Sequence, residues 1–254
     1  MDWFYHEKNL EGKIKNNYRE IGDIIADFKK DAYDKEFKAK LSKISSINKE
    51  SCKQKIKILE DYYKKTNSFV EENNISSQSK FRSTILEEFC GYLFKDLPEI
   101  EKLNLDFFNK GIFAGLKIDS SGKMKIATKD VDFCIGKKFT IQLEKKELDL
   151  LIPVAAIECK TFVDNTMFNE AQFSAQKLKS GSPNVYVSIL TEWNAIGRDS
   201  IPSQSPVDEI FVMRKNAHSN ISVDLVYEFF ENIKSVLCSK TLEELKLPGR
   251  LFNF

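Results

Sequence analysis

The chain has 254 residues, 42% of them hydrophobic and 30% charged, with 39 Lys and Arg against 38 Asp and Glu for a net charge of +1. Such a length can bury a sizeable core, the composition argues against disorder, and the near-neutral charge confines any nucleic-acid binding to a local basic surface. Five scattered cysteines with no CxxC pair exclude a disulfide framework and a thiolate zinc site, and two distant histidines, His6 and His218, leave no basis for a Ser-His-Asp triad or a His-based metal site.

A reducing, cytoplasmic setting is expected from the cysteines. The amino terminus MDWFYHEKNLEGK has no basic-then-apolar signal pattern, and no apolar run approaches the roughly 20 residues of a membrane helix. Neither GxxxxGK[ST] nor GxGxxG occurs, so chemistry must rest on carboxylates and lysines.

Residues 1–79 are rich in Lys, Glu and Asp, nearly free of glycine and without proline. Ile21, Ile24, Ile25 and Phe28, then Phe37, Leu41 and Ile44, recur at helical spacing, as do Ile56, Leu59, Tyr63 and Val70. Two or three amphipathic helices are predicted, serving DNA contact or subunit association. Lys29, Lys30, Lys38, Lys40, Lys43, Lys53, Lys55 and Lys57 crowd their polar faces. Interspersed acids make a solvated, ion-paired surface the first reading of these lysines and a phosphate-facing surface the second.

From residue 80 to 254 the pattern is that of a mixed α/β domain. "FRSTILEEFCGYLFKDL" predicts a helix capped by Ser83, with Ile85, Leu86, Phe89, Tyr92 and Leu93 on its apolar face. "NKGIFAGLKID" reads as a strand. "DVDFCIGKKFTIQ" alternates as another, placing Val131, Phe133 and Ile135 on one face. "LIPVAAIECK" is a buried strand, "NTMFNEAQFSAQKLKS" a helix with Phe168, Ala171, Ala175 and Leu178 inward, and "NVYVSILTEW" a further buried strand. A strand "EIFVMR" and a helix "DLVYEFFENIKSVL" complete a mixed central sheet flanked by helices.

Two charges end the apolar run. Glu158 and Lys160, two apart on a strand, project to one face about 6.6 Å from each other along the chain. A plain ion pair explains them; so does a divalent-cation site, if a further carboxylate comes from a neighbouring strand. Asp132, inside an otherwise apolar stretch, is that candidate. Asp130 shares its face, and Asp149 is a fallback that reads first as a solvated residue.

Asp132 followed by Glu158-Cys159-Lys160, in the order helix, strands, helix, strand, resembles the PD-(D/E)xK nuclease superfamily, although no proline precedes Asp132. "FRSTILEEFCGYLFKDL" and "IECKTFVDNTMFNEA" resemble type II restriction endonucleases, those that cut asymmetric or interrupted sites, over roughly residues 80–215. The resemblance implies a restriction-endonuclease-like core and hydrolysis of DNA phosphodiesters with Mg²⁺. Asp132 and Glu158 would hold the metal, with the backbone carbonyl of Cys159 and Glu88 as further ligands; Glu88 is preferred to Glu87 because it borders the apolar face of its helix. Lys160 would orient the attacking water and stabilise the transition state.

The implied substrate is double-stranded DNA, cut by a homo- or heterodimer in a bacterial cytoplasm, with a DNA methyltransferase encoded nearby. Gln172, Gln176 and Arg198 are weak candidates for DNA contact, and Trp193 reads as a packing residue. The alternatives are a repair or recombination nuclease of the same superfamily, and a non-catalytic interaction module in which Glu158 and Lys160 are a structural pair.

Overall fold

The structure is a computed structural model that describes residues 3–45, 48–76, 79–143, 146–196 and 205–238. The helical region comprises α1 (Tyr5–Lys15), α2 (Gly22–Phe28), a wider π-helical stretch Lys29–Lys38 that runs on into α3 (Ala39–Ser42), and the long α4 (Lys49–Glu72). A capping box starts α4, with Asn48 Oδ1 accepting from Ser51 N and Ser51 Oγ accepting from Asn48 N. The mixed region follows as α5 (Thr84–Phe94), α6 (Pro98–Lys102), β1 (Asp106–Phe108), β2 (Ile112–Ile118), β3 (Met124–Lys129), β4 (Phe133–Leu143), β5 (Lys146–Val163), α7 (Asn165–Gly181), β6 (Tyr186–Asn194), β7 (Glu209–Val212) and α8 (Val223–Cys238).

The sheet is built around β5, which is 18 residues long. Its first part pairs with β2 in parallel at Leu151, its second part pairs with β6 in parallel from Ala155 to Val163, and β4 runs antiparallel beside it. The β4 pairing ends at Phe133 opposite Ile157. Past that point the β4-side edge of β5 has lost its ladder partner just where Glu158 and Lys160 project.

Each sheet face buries its own core. One face carries Phe133, Ile135, Ile157, Cys159 and Leu190, and packs against α5, α8 and the helical region. The other carries Cys134, Ala156, Val187 and Ile189 beneath Phe168, Ala171, Ala175 and Leu178 of α7. The first of these cores runs without a break into the amino-terminal helices through Tyr33, Phe37 and Leu59, so residues before α5 are part of the packing that supports the sheet.

Three expectations change. Asp132 precedes β4 rather than lying within it, because the chain bends into the strand only at Phe133. Val131 packs with the α7-side core, away from Phe133 and Ile135. Ser83 has helical backbone angles and makes no capping bond to α5; the Thr84 hydroxyl instead donates to the Lys80 carbonyl at 3.0 Å. The short strands β1 and β3 were not anticipated.

At Gly91 the indole of Trp3 lies directly on α5, and a Cβ there would run into the ring. Trp3 stands edge-on to Tyr92 at 4.6 Å between centroids. Gly91→Val is expected to cost about 1–3 kcal/mol by overpacking, read as a lower thermal midpoint, with loss of the Trp3 fluorescence environment. An unchanged midpoint would contradict this docking.

Candidate active site

The end of β5, the segment before β4, α5 and α7 enclose an open cleft of about 720 Å³. Into it project Glu158 and Lys160 from β5, Asp132 from the chain entering β4, and Glu87 from α5. Lys160 Nζ donates to Asp132 Oδ2 at 2.7 Å and to Glu158 Oε2 at 2.9 Å. Asp132 Oδ2 also accepts from the Cys159 backbone N–H at 2.9 Å, so its carboxylate fills the place of the missing β4 ladder partner.

The electrostatics follow from crowding acids in a half-buried place. Burial and then the neighbouring Asp132 raise the proton affinity of Glu158. The same two causes push Glu87 up to about 8. For Lys160, burial works against the charge, but the Asp132 and Glu158 carboxylates outweigh it and raise the pKa above its ordinary value. The site is therefore two acids, Asp132 and Glu158, in contact with a single firmly protonated ammonium, with the Glu87 carboxyl beside them.

Glu88 departs from its expected role. It is fully buried on the other flank of α5, where Oε2 accepts from the backbone N–H groups of His6 and Glu7 at 3.0 and 3.1 Å and Oε1 accepts from the Tyr33 hydroxyl at 2.6 Å. It satisfies the open amides at the start of α1, which has no side-chain cap of its own. The expectation failed because α5 is buried on every side, so bordering the apolar face does not tell the cleft from the helical region. Glu87 is the α5 acid that reaches the cleft.

The remaining candidates separate clearly. Asp130 lines the cleft but its Oδ1 accepts from Gly111 N at 2.9 Å, fixing the β1–β2 turn. Asp149 is held on the exposed β4–β5 arm by Lys138 at 2.7 Å and the Thr140 hydroxyl at 3.0 Å. Gln172 Nε2 donates to Ser205 Oγ at 3.3 Å and Gln176 is exposed; neither lines the cleft. Arg198 lies outside the described residues. Trp193 stacks on Phe162 at 5.3 Å, a packing role. Behind the site, Cys90 Sγ and Cys159 Sγ approach to 3.7 Å and join α5 to β5.

Sequence reasoning missed the rim. Lys8, Lys80, Lys110 and Lys129 line the cleft around the acids. Lys129 could have been noticed from its place beside Asp130, whereas nothing local marks Lys8, which arrives from α1.

Among the described residues no group of three or more His, Cys, Asp or Glu stands close enough to form a closed metal cage. The donor set is instead two carboxylates in contact with one lysine, with Glu87 nearby. Hard oxygen donors, few in number and open to the cleft, match Mg²⁺, which keeps several waters and takes one or two carboxylates together with substrate phosphate. They do not match zinc, which prefers sulfur and imidazole.

A sequence profile of the family described as Bpu10I restriction endonuclease matches residues 78–241. Among curated proteins nothing matches the chain. Among solved structures, one described as the native BbvCI A2B2 tetramer at low resolution superposes with a TM-score of 0.71 at 19% identity, covering 94% of this chain and 97% of that one.

Proposed function

The chain belongs to the Bpu10I restriction endonuclease family, and from that premise we propose that its cleft cuts DNA with Asp132, Glu158 and Lys160 as the reacting constellation and Mg²⁺ as the cofactor. The chain is a type II restriction endonuclease, a DNA-hydrolysing enzyme. The convergence of those three side chains where β5 outruns β4 carries the assignment of the site. Residues 80–254 form its catalytic part and residues 1–79 a helical part joined to it through a common core.

Asp132 and Glu158 would hold the metal, with Glu87 placed to reach it or a water bound to it. In an extended strand the N–H and C=O of one residue point to the same edge. The Cys159 carbonyl therefore faces the side from which its N–H bonds Asp132, which supports it as a further ligand. A bound Mg²⁺ would neutralise charge on the scissile phosphate and acidify a water.

The protein side of the reaction falls to Lys160. Its ammonium is already charged and has three donors and no acceptor, so it cannot ligate the metal. It is suited to orient the attacking water and to meet the charge that grows on the phosphoryl oxygens. Burial makes that charge–charge attraction stronger than it would be in water.

Cleavage of both strands needs two such sites, so the chain is expected to work with a second subunit. That the structural neighbour is described as an A2B2 tetramer supports a non-identical partner. A methyltransferase modifying the same DNA site would complete a restriction-modification system. No helix among the described residues is long and apolar enough to cross a membrane.

Digestion of phage DNA with Mg²⁺ is expected to give discrete bands that vanish with EDTA. Where the chain alone is silent, co-expression with the gene of a second subunit should restore them. A smear without bands would count against site specificity, and cleavage undiminished by EDTA against the metal.

A further inference from the structure

The active-site cleft does not stop at Glu87. Lys8 and Asn9 of α1 line it and also begin a shallow groove of about 350 Å³ that runs along the same helix. The rest of that groove is Gly12, Lys13, Asn16 and Tyr18, and none of its lining residues is an acid. Spacings of three and four place Lys8, Asn9, Gly12, Lys13 and Asn16 along one flank of α1, and Tyr18 closes the groove beyond its end. The acids of the helix take the other side, where Glu7 and Glu11 approach Lys29 at 3.1 and 3.7 Å.

We propose that this groove is a track for the phosphate backbone of duplex DNA as it leaves the active site, so that α1, which lies before the family match, is part of the substrate-binding surface. The inference rests on the nuclease reading of the cleft. Three features support it. The basic groups Lys8 and Lys13 stand over the Tyr5 and Tyr18 rings at 5.7 and 4.6 Å, and the Lys13 ammonium is anchored by donating to the Ser79 carbonyl at 2.6 Å. Asn9 Oδ1 is buried without a hydrogen-bond partner among the described residues, so the Asn9 amide is a polar group of the groove wall whose hydrogen bonding the chain leaves incomplete.

Gly12 is the third feature. Glycine weakens a helix interior, and here no neighbour would meet an added Cβ. Packing within the protein does not call for it, whereas close approach of a backbone along the groove floor does. The placement of the whole helix depends on Glu88, whose carboxylate holds the His6 and Glu7 amides. The same helix α5 thus sets Glu87 in the cleft and aims α1 along its exit.

The test uses the full chain, a fluorescein-labelled duplex and EDTA, with binding followed by anisotropy across a salt series. Lys8→Ala should reduce the slope of log K against log salt by about 0.9, the loss of one phosphate contact. Gly12→Asp should leave the thermal midpoint close to the parent's, because the better helix propensity of aspartate offsets its charge near the carboxy end of α1, yet weaken binding about tenfold by setting a carboxylate against the phosphates. Parental slopes and affinities in both variants, with a parent that binds and cuts DNA, would overturn the groove alone. A parent that neither binds nor cuts even when co-expressed with a second subunit sinks the nuclease reading with it. Variants that change the mass of the assembly by sedimentation while binding DNA like the parent would make the flank a subunit contact and overturn the proposal.

Discussion

Lys160→Ala is expected to lower DNA cleavage by about 10²–10³-fold while leaving DNA binding and the folded state in place. The ammonium joins Asp132 and Glu158 at 2.7 and 2.9 Å, and no other lysine stands in contact with both in the described residues. Lys160→Met, close in shape and without charge, should behave the same way. Lys160→Arg should not rescue, because a planar guanidinium does not replace a compact point charge in this space.

In either neutral variant Asp132, Glu158 and Glu87 lose their shared cation. Divalent metal should then raise the thermal midpoint more than it does in the parent, since binding to the native state adds stability by mass action. If both variants unfold with and without metal, the pair is a structural ion pair and the assignment of Lys160 to the reaction fails.

Exchanging the two neighbouring glutamates of α5 should produce opposite phenotypes. Glu88→Ala leaves the His6 and Glu7 amides and the Tyr33 hydroxyl without their acceptor in a fully buried place. We expect a loss of about 3 kcal/mol or more, or roughly 6–12 °C in the thermal midpoint for a chain of this size. Glu87→Gln keeps the shape but removes a crowded carboxylate. Stability in EDTA should hold or rise, while cleavage falls about 10–100-fold and more Mg²⁺ is needed.

The pH dependence carries the same distinction. The folded-state pKa of Glu87 is raised, to about 8, by burial and then Asp132. Its contribution to stability is therefore full below the unfolded value and lost as pH rises toward 8. Glu88, raised to about 7 by burial, acts in the same direction over a lower window. In EDTA the parent should lose more stability between roughly pH 5 and 9 than Glu87→Gln does. Equal slopes would remove Glu87 from the cleft's electrostatics.

The centre of the site was legible because a strand has a period of two. Glu158 and Lys160 had to share a face, and the apolar run before them had to be a central strand. Asp132 was found as an acid out of place, although the reason for its reach is not a strand position. It stands where β4 has ended and an N–H of β5 wants a partner, a fact about pairing between strands.

What could not be read was set by contacts distant in sequence. Glu87 and Glu88 differ in which body covers each flank of α5, and that is decided by residues about 80 positions earlier. The lysine-rich helices looked like solvated faces, and many are: Lys35 pairs with Asp31 and Lys65 with Glu36 at 2.6 Å each. Lys55 is the exception, buried and donating to the Tyr92 carbonyl at 2.7 Å near the end of α5. Helical periodicity alone cannot tell such a lysine from its neighbours.

The capping of α1 by Glu88 has a consequence for synthesis. An 11-residue helix is marginal by itself in water, and this one has no local cap. Both its acceptor and the seat of Trp3 at Gly91 belong to α5, more than 80 residues downstream. During translation at about 5–20 residues per second, α1 leaves the ribosome several seconds before its partner exists. Helix α1 thus waits for α5 before it is secured, and a nascent chain that stops before α5 can have neither its exit groove nor its cleft.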